Sequence, residues 1–183
     1  LLKKKVGGKY DGNYMFETWK DCPVLENHNM DSVRGQIIDV WPNRDEKAIE
    51  MLLEIDEGKN SNMVHGIRNG SITGTSMGVM VDHSYCSVCG NVAYDESGWC
   101  SHLSPNKLNI KGRIYNGQDG NRYPNKIGQI VHEDNRGLTG VEDSIITLGE
   151  PADPKALTKK VLAIDTKFLY LLSMSGLLNS RSG

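Results

Sequence analysis

Two stretches of this 183-residue chain carry side chains whose types and spacing could do chemistry. The first is Gly74-Thr75-Ser76-Met77-Gly78, one serine between two glycines ahead of the apolar Val79-Met80-Val81. Backbone of this kind can bend closely around a substrate carbonyl and display a hydroxyl as a nucleophile. Taken alone, the same stretch reads as a Gly-rich turn feeding a strand. The helix-opening nucleophile elbow of α/β-hydrolases is disfavoured, because β-favouring residues follow the serine and 183 residues is short for that fold.

The second stretch is His83-Ser-Tyr-Cys86-Ser-Val-Cys89-Gly90, continuing to Cys100-Ser-His102. A C-x-x-C followed by glycine is a knuckle turn in which two thiolates converge on one ion, and a C-x-H downstream can complete a tetrahedral N/S set. Cys86, Cys89, Cys100 and His102 make four ligands, which would leave no open coordination position and make the ion, zinc by ligand type, structural rather than hydrolytic. The competing readings are ordinary buried cysteines or a redox C-x-x-C, the latter normally heading a helix in a βαβ setting that the sequence lacks. His83 is a spare ligand, and Cys22, far away in sequence, reads as a core thiol.

The elements that must position these groups read mostly as short strands. Val24-Leu25 lead after Pro23 into a polar turn holding His28, a strand-end position where working residues are common, although His28 between two asparagines is also simply a hydrogen-bonded turn residue. Gly35–Trp41 and Lys47–Asp56 flank a Pro-Asn-Arg-Asp turn as a hairpin, the second showing alternation of Met51, Leu53 and Ile55 with Glu50, Leu52, Glu54 and Asp56. Residues 61–69 suit a short helix with Asn60 or Ser61 as its cap and Gly70 just past its end. Lys107–Tyr115 and Gly140–Leu148 read as strands, residues 1–13 as a loose arm or edge strand. Lys155–Ala163 and Thr166–Met174 carry enough apolar residues for helices.

Composition fits one domain with a real core: 38% hydrophobic, 24% charged, 20 glycines and only 7% aromatic residues, a balance that leans towards β. A net charge of -2 offers no general attraction to nucleic acid or anionic membrane. No stretch reaches the ~18 apolar residues that span a bilayer, and Leu-Leu-Lys-Lys-Lys lacks the order of a secretory signal, so an intracellular protein is expected.

Residues 23–39, 70–78 and 141–156 are three segments that together resemble one family, the prohead (capsid maturation) serine proteases of tailed bacteriophages, thought to share a fold with the herpesvirus capsid protease assemblin. Pro23-Val-Leu-Glu-Asn-His28, followed by Gly35-Gln-Ile-Ile-Asp39, is similar to the family's catalytic-histidine segment. Gly70-Ser-Ile-Thr-Gly-Thr-Ser76-Met-Gly78 is similar to its nucleophile segment, and Val141-Glu142-Asp-Ser144-Ile-Ile with Pro151-Ala-Asp-Pro-Lys-Ala156 to its third. Asp143 departs from the pattern, standing where the family usually has an apolar residue, and the cysteine cluster is an addition that many members lack.

The resemblance implies a mainly β (α+β) fold with a few helices: an assemblin-like antiparallel β-barrel, one protease domain over residues 1–183, with a zinc-binding insertion at 83–102 and a helical tail at 165–183. It implies peptide hydrolysis in which Ser76 attacks, His28 acts as general base and Glu142 orients the imidazole. On spacing alone Glu142 is equally a solvated strand residue. Capsid and scaffold proteins would be the substrates, inside the procapsid in the host cytoplasm, with self-cleavage and a homo-oligomer as further expectations and no nucleic-acid or membrane partner. The rival readings are a catalytically retired virion structural or binding protein that keeps the fold and zinc loop, and a zinc-ribbon adaptor in which Gly74–Gly78 is incidental.

Overall fold

A computed structural model describes residues 3–6, 9–149, 156–164 and 168–176. The chain forms two compact units, Leu1–Met80 with Thr139–Gly183, and Val81–Leu138. In order the elements of the first are β1 (Lys3–Val6), β2 (Lys9–Tyr14), β3 (Pro23–Glu26), β4 (Asn29–Asn43), β5 (Ala48–Asp56), α1 (Ser61–Asn69) and β6 (Gly74–Met80). The insertion adds β7 (His83–Cys86), β8 (Val92–Ala93) and β9 (Glu133–Arg136), after which the chain returns with β10 (Thr139–Ile146), β11 (Leu157–Ile164) and β12 (Phe168–Gly176).

In the first unit the strands close into a barrel in the order β10-β3-β4-β5-β12-β11-β6, and β1 with β2 makes a separate ribbon. The expected mainly β barrel is thus present, with one departure from a wholly antiparallel arrangement: β3 and β10 run parallel. No hairpin links those two strands, so no turn imposes the antiparallel sense on them. The alternation in β5 sends Met51, Leu53 and Ile55 inward, where they meet Val24, Ile37, Ile145 and Leu169, all fully buried.

The helix α1 spans residues 61–69, as its pattern indicated, and buries Met63, Val64 and Ile67 along one face. It ends at Gly70, whose φ of 77° is the left-handed cap conformation. Asn60 does not cap the helix with its side chain. Its amide instead donates to the carbonyls of Arg34 and Asp56, at 3.1 and 2.8 Å.

The two helices expected after residue 154 are strands. Leu157–Ile164 and Phe168–Gly176 pair antiparallel with each other, and β12 pairs along its full length with β5, Phe168 opposite Asp56 through Gly176 opposite Ala48. A short apolar run does not by itself distinguish a buried helix from a buried strand, and here the choice falls to a partner more than a hundred residues upstream. Residues 165–167 and 177–183 of the expected helical tail, and Pro151–Lys155 of the third family segment, lie outside the described residues.

The second unit has a three-stranded sheet in the order β8-β7-β9 and its own core of Cys86, Val88, Leu103, Ile110, Tyr115 and Val131. The inserted unit is therefore larger than the 83–102 cysteine segment. Residues 107–115, expected as a strand, are turns with one isolated bridge between Ile114 and Ile130. Positive φ at Asn109 (46°) and Gly112 (79°) breaks the extended run, so that Ile110 and Tyr115 both enter the core.

Candidate functional site

The barrel brings His28, Ser76 and Glu142 together. Ser76 on β6 pairs with Ser144 on β10, and Gly78 pairs with Glu142, so the period-two alternation puts Ser76, Glu142 and Ser144 on one face of two adjacent strands. His28 arrives from the turn joining β3 to β4, and β3 is the other neighbour of β10. Its Nε2 lies 2.9 Å from Ser76 Oγ, and its Nδ1 lies 2.8 Å from Glu142 Oε1. The imidazole is about half exposed, with a side-chain exposure of 48%, whereas the Glu142 carboxylate is at 4%. A hydroxyl within reach of an imidazole that is oriented from behind by a buried carboxylate is the arrangement that activates a serine for acyl transfer.

The turn that carries the histidine is tight. Asn27 and His28 have φ of 50° and 60°, positive at both central residues as in a type I′ hairpin, which suits asparagine and costs a histidine about 1–2 kcal/mol. Asn27 anchors it: its Oδ1 accepts from the backbone N–H groups of Thr147 and Leu148 at 2.9 and 3.2 Å, while its amide donates to Thr147 Oγ1 at 2.7 Å. Thr147 in turn donates to Glu26 Oε1 at 2.8 Å, and Arg34 binds the other oxygen of that carboxylate. The hydroxyl and guanidinium together hold Glu26 below its usual pKa.

Gly78 has a steric reason to be glycine. A Cβ built there would overlap the Glu142 carboxylate lying across the strand pair, so the second glycine of Gly74–Gly78 makes room for the orienting acid rather than for a bend. The adjacent Asp143 faces the opposite way and is fully buried in the barrel. Ser173 donates to its Oδ2 at 3.2 Å, and its Oδ1 has no partner among the described residues. Burial, helped by the nearby Glu142 charge, pushes its pKa up to about 7. Cys22 is the core thiol the sequence indicated: it donates to the carbonyls of Thr18 and Gly140, and burial raises its pKa.

In the second unit Cys86, Cys89, Cys100 and His102 have ligand atoms all within 4.8 Å of one another, and the cysteines are free thiols. Cys86 and Cys89 are brought round by a knuckle in which Gly90, at φ 69°, donates its N–H to the Cys86 carbonyl at 2.9 Å. His102 turns Nδ1 towards the thiols, 3.7 Å from Cys86 Sγ and 3.6 Å from Cys100 Sγ. Its Nε2 is 3.0 Å from Asp119 Oδ2. Burial, reinforced by neighbouring thiols, pushes Cys89 up to about 12, and burial raises Cys86 as well. The cluster can hold one metal ion. His83 is not a member of it, and packs instead against the rings of Tyr85 and Tyr94.

Family models, curated proteins and solved structures contain no significant match to this chain. Among the described residues no helix is long and apolar enough to cross a membrane.

Three groups at these sites were not singled out in the sequence as working residues. Ser144 donates to Glu142 Oε2 at 2.6 Å and accepts from the His28 backbone N–H at 2.9 Å. Asp119 buttresses His102, and Tyr115 donates to the other oxygen of the same carboxylate. Burial pulls the Asp119 pKa upward, but the hydrogen bonds from Tyr115 and His102 outweigh it and hold the carboxyl below its usual range. Ser144 could have been found from its i, i+2 relation to Glu142 on a strand. Asp119, 17 residues beyond His102, carries no comparable signal.

Proposed function

We propose that this protein is a serine endopeptidase of the prohead maturation type, cleaving scaffold and capsid proteins during phage head assembly. The observation that carries the reading is the unbroken hydrogen-bonded order Ser76 Oγ, His28 Nε2, His28 Nδ1, Glu142 Oε1, at 2.9 and 2.8 Å. The three segments that resemble the family supply the substrate class. Ser76 Oγ attacks the scissile carbonyl while His28 Nε2 takes its proton, and the same nitrogen then protonates the leaving amine. Water repeats the cycle to release the acyl group. Glu142 keeps Nδ1 protonated and stabilises the imidazolium that forms. A retired barrel would have no use for three such groups held in hydrogen-bonding order.

Zinc is the proposed ion at Cys86, Cys89, Cys100 and His102. With Zn–S of about 2.3 Å and Zn–N of about 2.0 Å, a tetrahedral site sets sulfur and nitrogen roughly 3.6 Å apart. The sulfur-to-Nδ1 separations of 3.7 and 3.6 Å accord with that spacing. The Asp119-His102 pair supplies the carboxylate support common behind a ligating imidazole. The ion would have a structural role, and no step of the hydrolysis passes through it.

The protease reading is tested by incubating the wild type and its Ser76→Ala variant with the capsid and scaffold proteins of the source phage. Cleavage by the wild type alone is expected. Equal processing by both, or none by either with the wild type folded and metal-loaded, would sink it.

A further inference from the structure

Ser144 is fully buried, and its hydroxyl is committed twice. It donates its one proton to Glu142 Oε2 at 2.6 Å and accepts the backbone N–H of His28 at 2.9 Å. The carboxylate is thereby divided: Oε1 faces the imidazole, and Oε2 is tied down from the same strand. A glutamate's terminal torsion is broad and roughly two-fold, so an untied carboxylate would swing between orientations. The second bond reaches the histidine that stands at φ 60° and fixes its backbone to β10. Ser144 Oγ contacts no ring nitrogen in this arrangement, so it has no path to act as a nucleophile.

We propose that Ser144 is a positioning residue, a buried hydroxyl that locks the orienting carboxylate and the His28 backbone to each other so that the imidazole is presented to Ser76. This rests on the serine-peptidase reading for its consequence in catalysis, but not for its geometry. A structural filler of the same volume would leave the Glu142–His28 hydrogen bond as it is. A positioning hydroxyl would not.

Two variants and two readouts separate these cases. Ser144→Ala removes both hydrogen bonds, and Ser144→Cys fills the site with a slightly larger group that is only a weak donor, so that it remains informative if the alanine variant does not fold. The first readout is the low-field proton NMR resonance of the His28 Nδ1–H bonded to Glu142, assigned by its absence in His28→Ala. It is expected to be sharp in the wild type and broadened away or shifted in both variants. The second is the rate at which an aryl phosphonate modifies Ser76, expected to fall about ten- to a hundredfold in the folded variants, as loss of a hydrogen bond to a charged group implies. An unchanged resonance and unchanged labelling rate in folded Ser144→Cys would overturn the proposal. If the wild type is not labelled yet the resonance still depends on residue 144, the positioning role stands and the peptidase reading fails.

Discussion

The barrel and the inserted unit solve the same problem, holding a few reactive groups in register, by opposite means. In the barrel the proposed catalytic groups sit on paired strands and on the turn between β3 and β4, and the apolar interior of Met51, Leu53, Ile55, Ile145 and Leu169 exists without them. In the Val81–Leu138 unit the core is small, and three of the four proposed ligands, Cys86, Cys89 and Cys100, belong to it or pack against it. Strand pairing makes a site whose residues can be exchanged without loss of fold. The proposed metal knuckle makes a site that also helps to hold its unit together.

That contrast breaks most visibly on removal of the proposed ion. Structural zinc in small knuckles is worth on the order of 10 kcal/mol of folding energy. A strong chelator, or Cys89→Ser, is therefore expected to abolish hydrogen-exchange protection over residues 81–138 while protection in β4, β5 and β12 persists. Loss of barrel protection at the same chelator concentration would show that the two units do not have separable stability.

Glu142→Gln comes next. It removes the charge that orients His28 without touching the barrel interior, so the cleavage rate should fall by roughly a thousandfold or more with the melting temperature little changed. A loss of only a few-fold would place the orienting role elsewhere.

Asp143 sharpens the comparison from within the barrel. Its folded pKa of about 7 lies above the ~3.9 of an unfolded aspartate. The folded state therefore binds the proton more tightly, and the contribution to stability is full below pH ~4 and is lost as pH rises towards 7. Above that the penalty is constant, on the order of 4 kcal/mol. Denaturant titrations across this range should show Asp143→Asn flattening the slope and gaining stability chiefly at the alkaline end. A parallel pH dependence in wild type and variant would contradict the assignment.

The smallest effect belongs to Asp119→Asn, which leaves all four proposed ligands in place. Weakening the support behind His102 should lower metal affinity about ten- to a hundredfold in competition with a chromogenic chelator. Unaltered affinity would make Asp119 a bystander.

How much of this was legible in the sequence follows the same division. His28, Ser76 and Glu142 were legible together only through the resemblance of their three segments to one family, since spacing alone leaves His28 a turn residue and Glu142 a solvated strand residue, whereas the four metal ligands could be found because knuckle spacing is short-range. The last two strands were misread as helices, since an apolar run such as Phe168–Met174 is ambiguous until its pairing with β5 is known. Residues 107–115 were misread as a strand because Asn109 and Gly112 turn a run that looked extended. Gly78 was read as backbone freedom, whereas its reason is a carboxylate across the sheet. Ser144 and Asp119 act through contacts that only the folded chain creates.

In the proposed mechanism Ser76 is an activated nucleophile with His28 as its base. Intact-mass analysis after reaction with an aryl phosphonate tests it most directly, comparing the wild type with Ser76→Ala and His28→Ala. One adduct per chain on the wild type, mapped to Ser76, with none on Ser76→Ala and a rate on His28→Ala reduced by several orders of magnitude, is the expected result. Absence of an adduct on folded wild-type protein, or labelling that persists at full rate without His28, would contradict it.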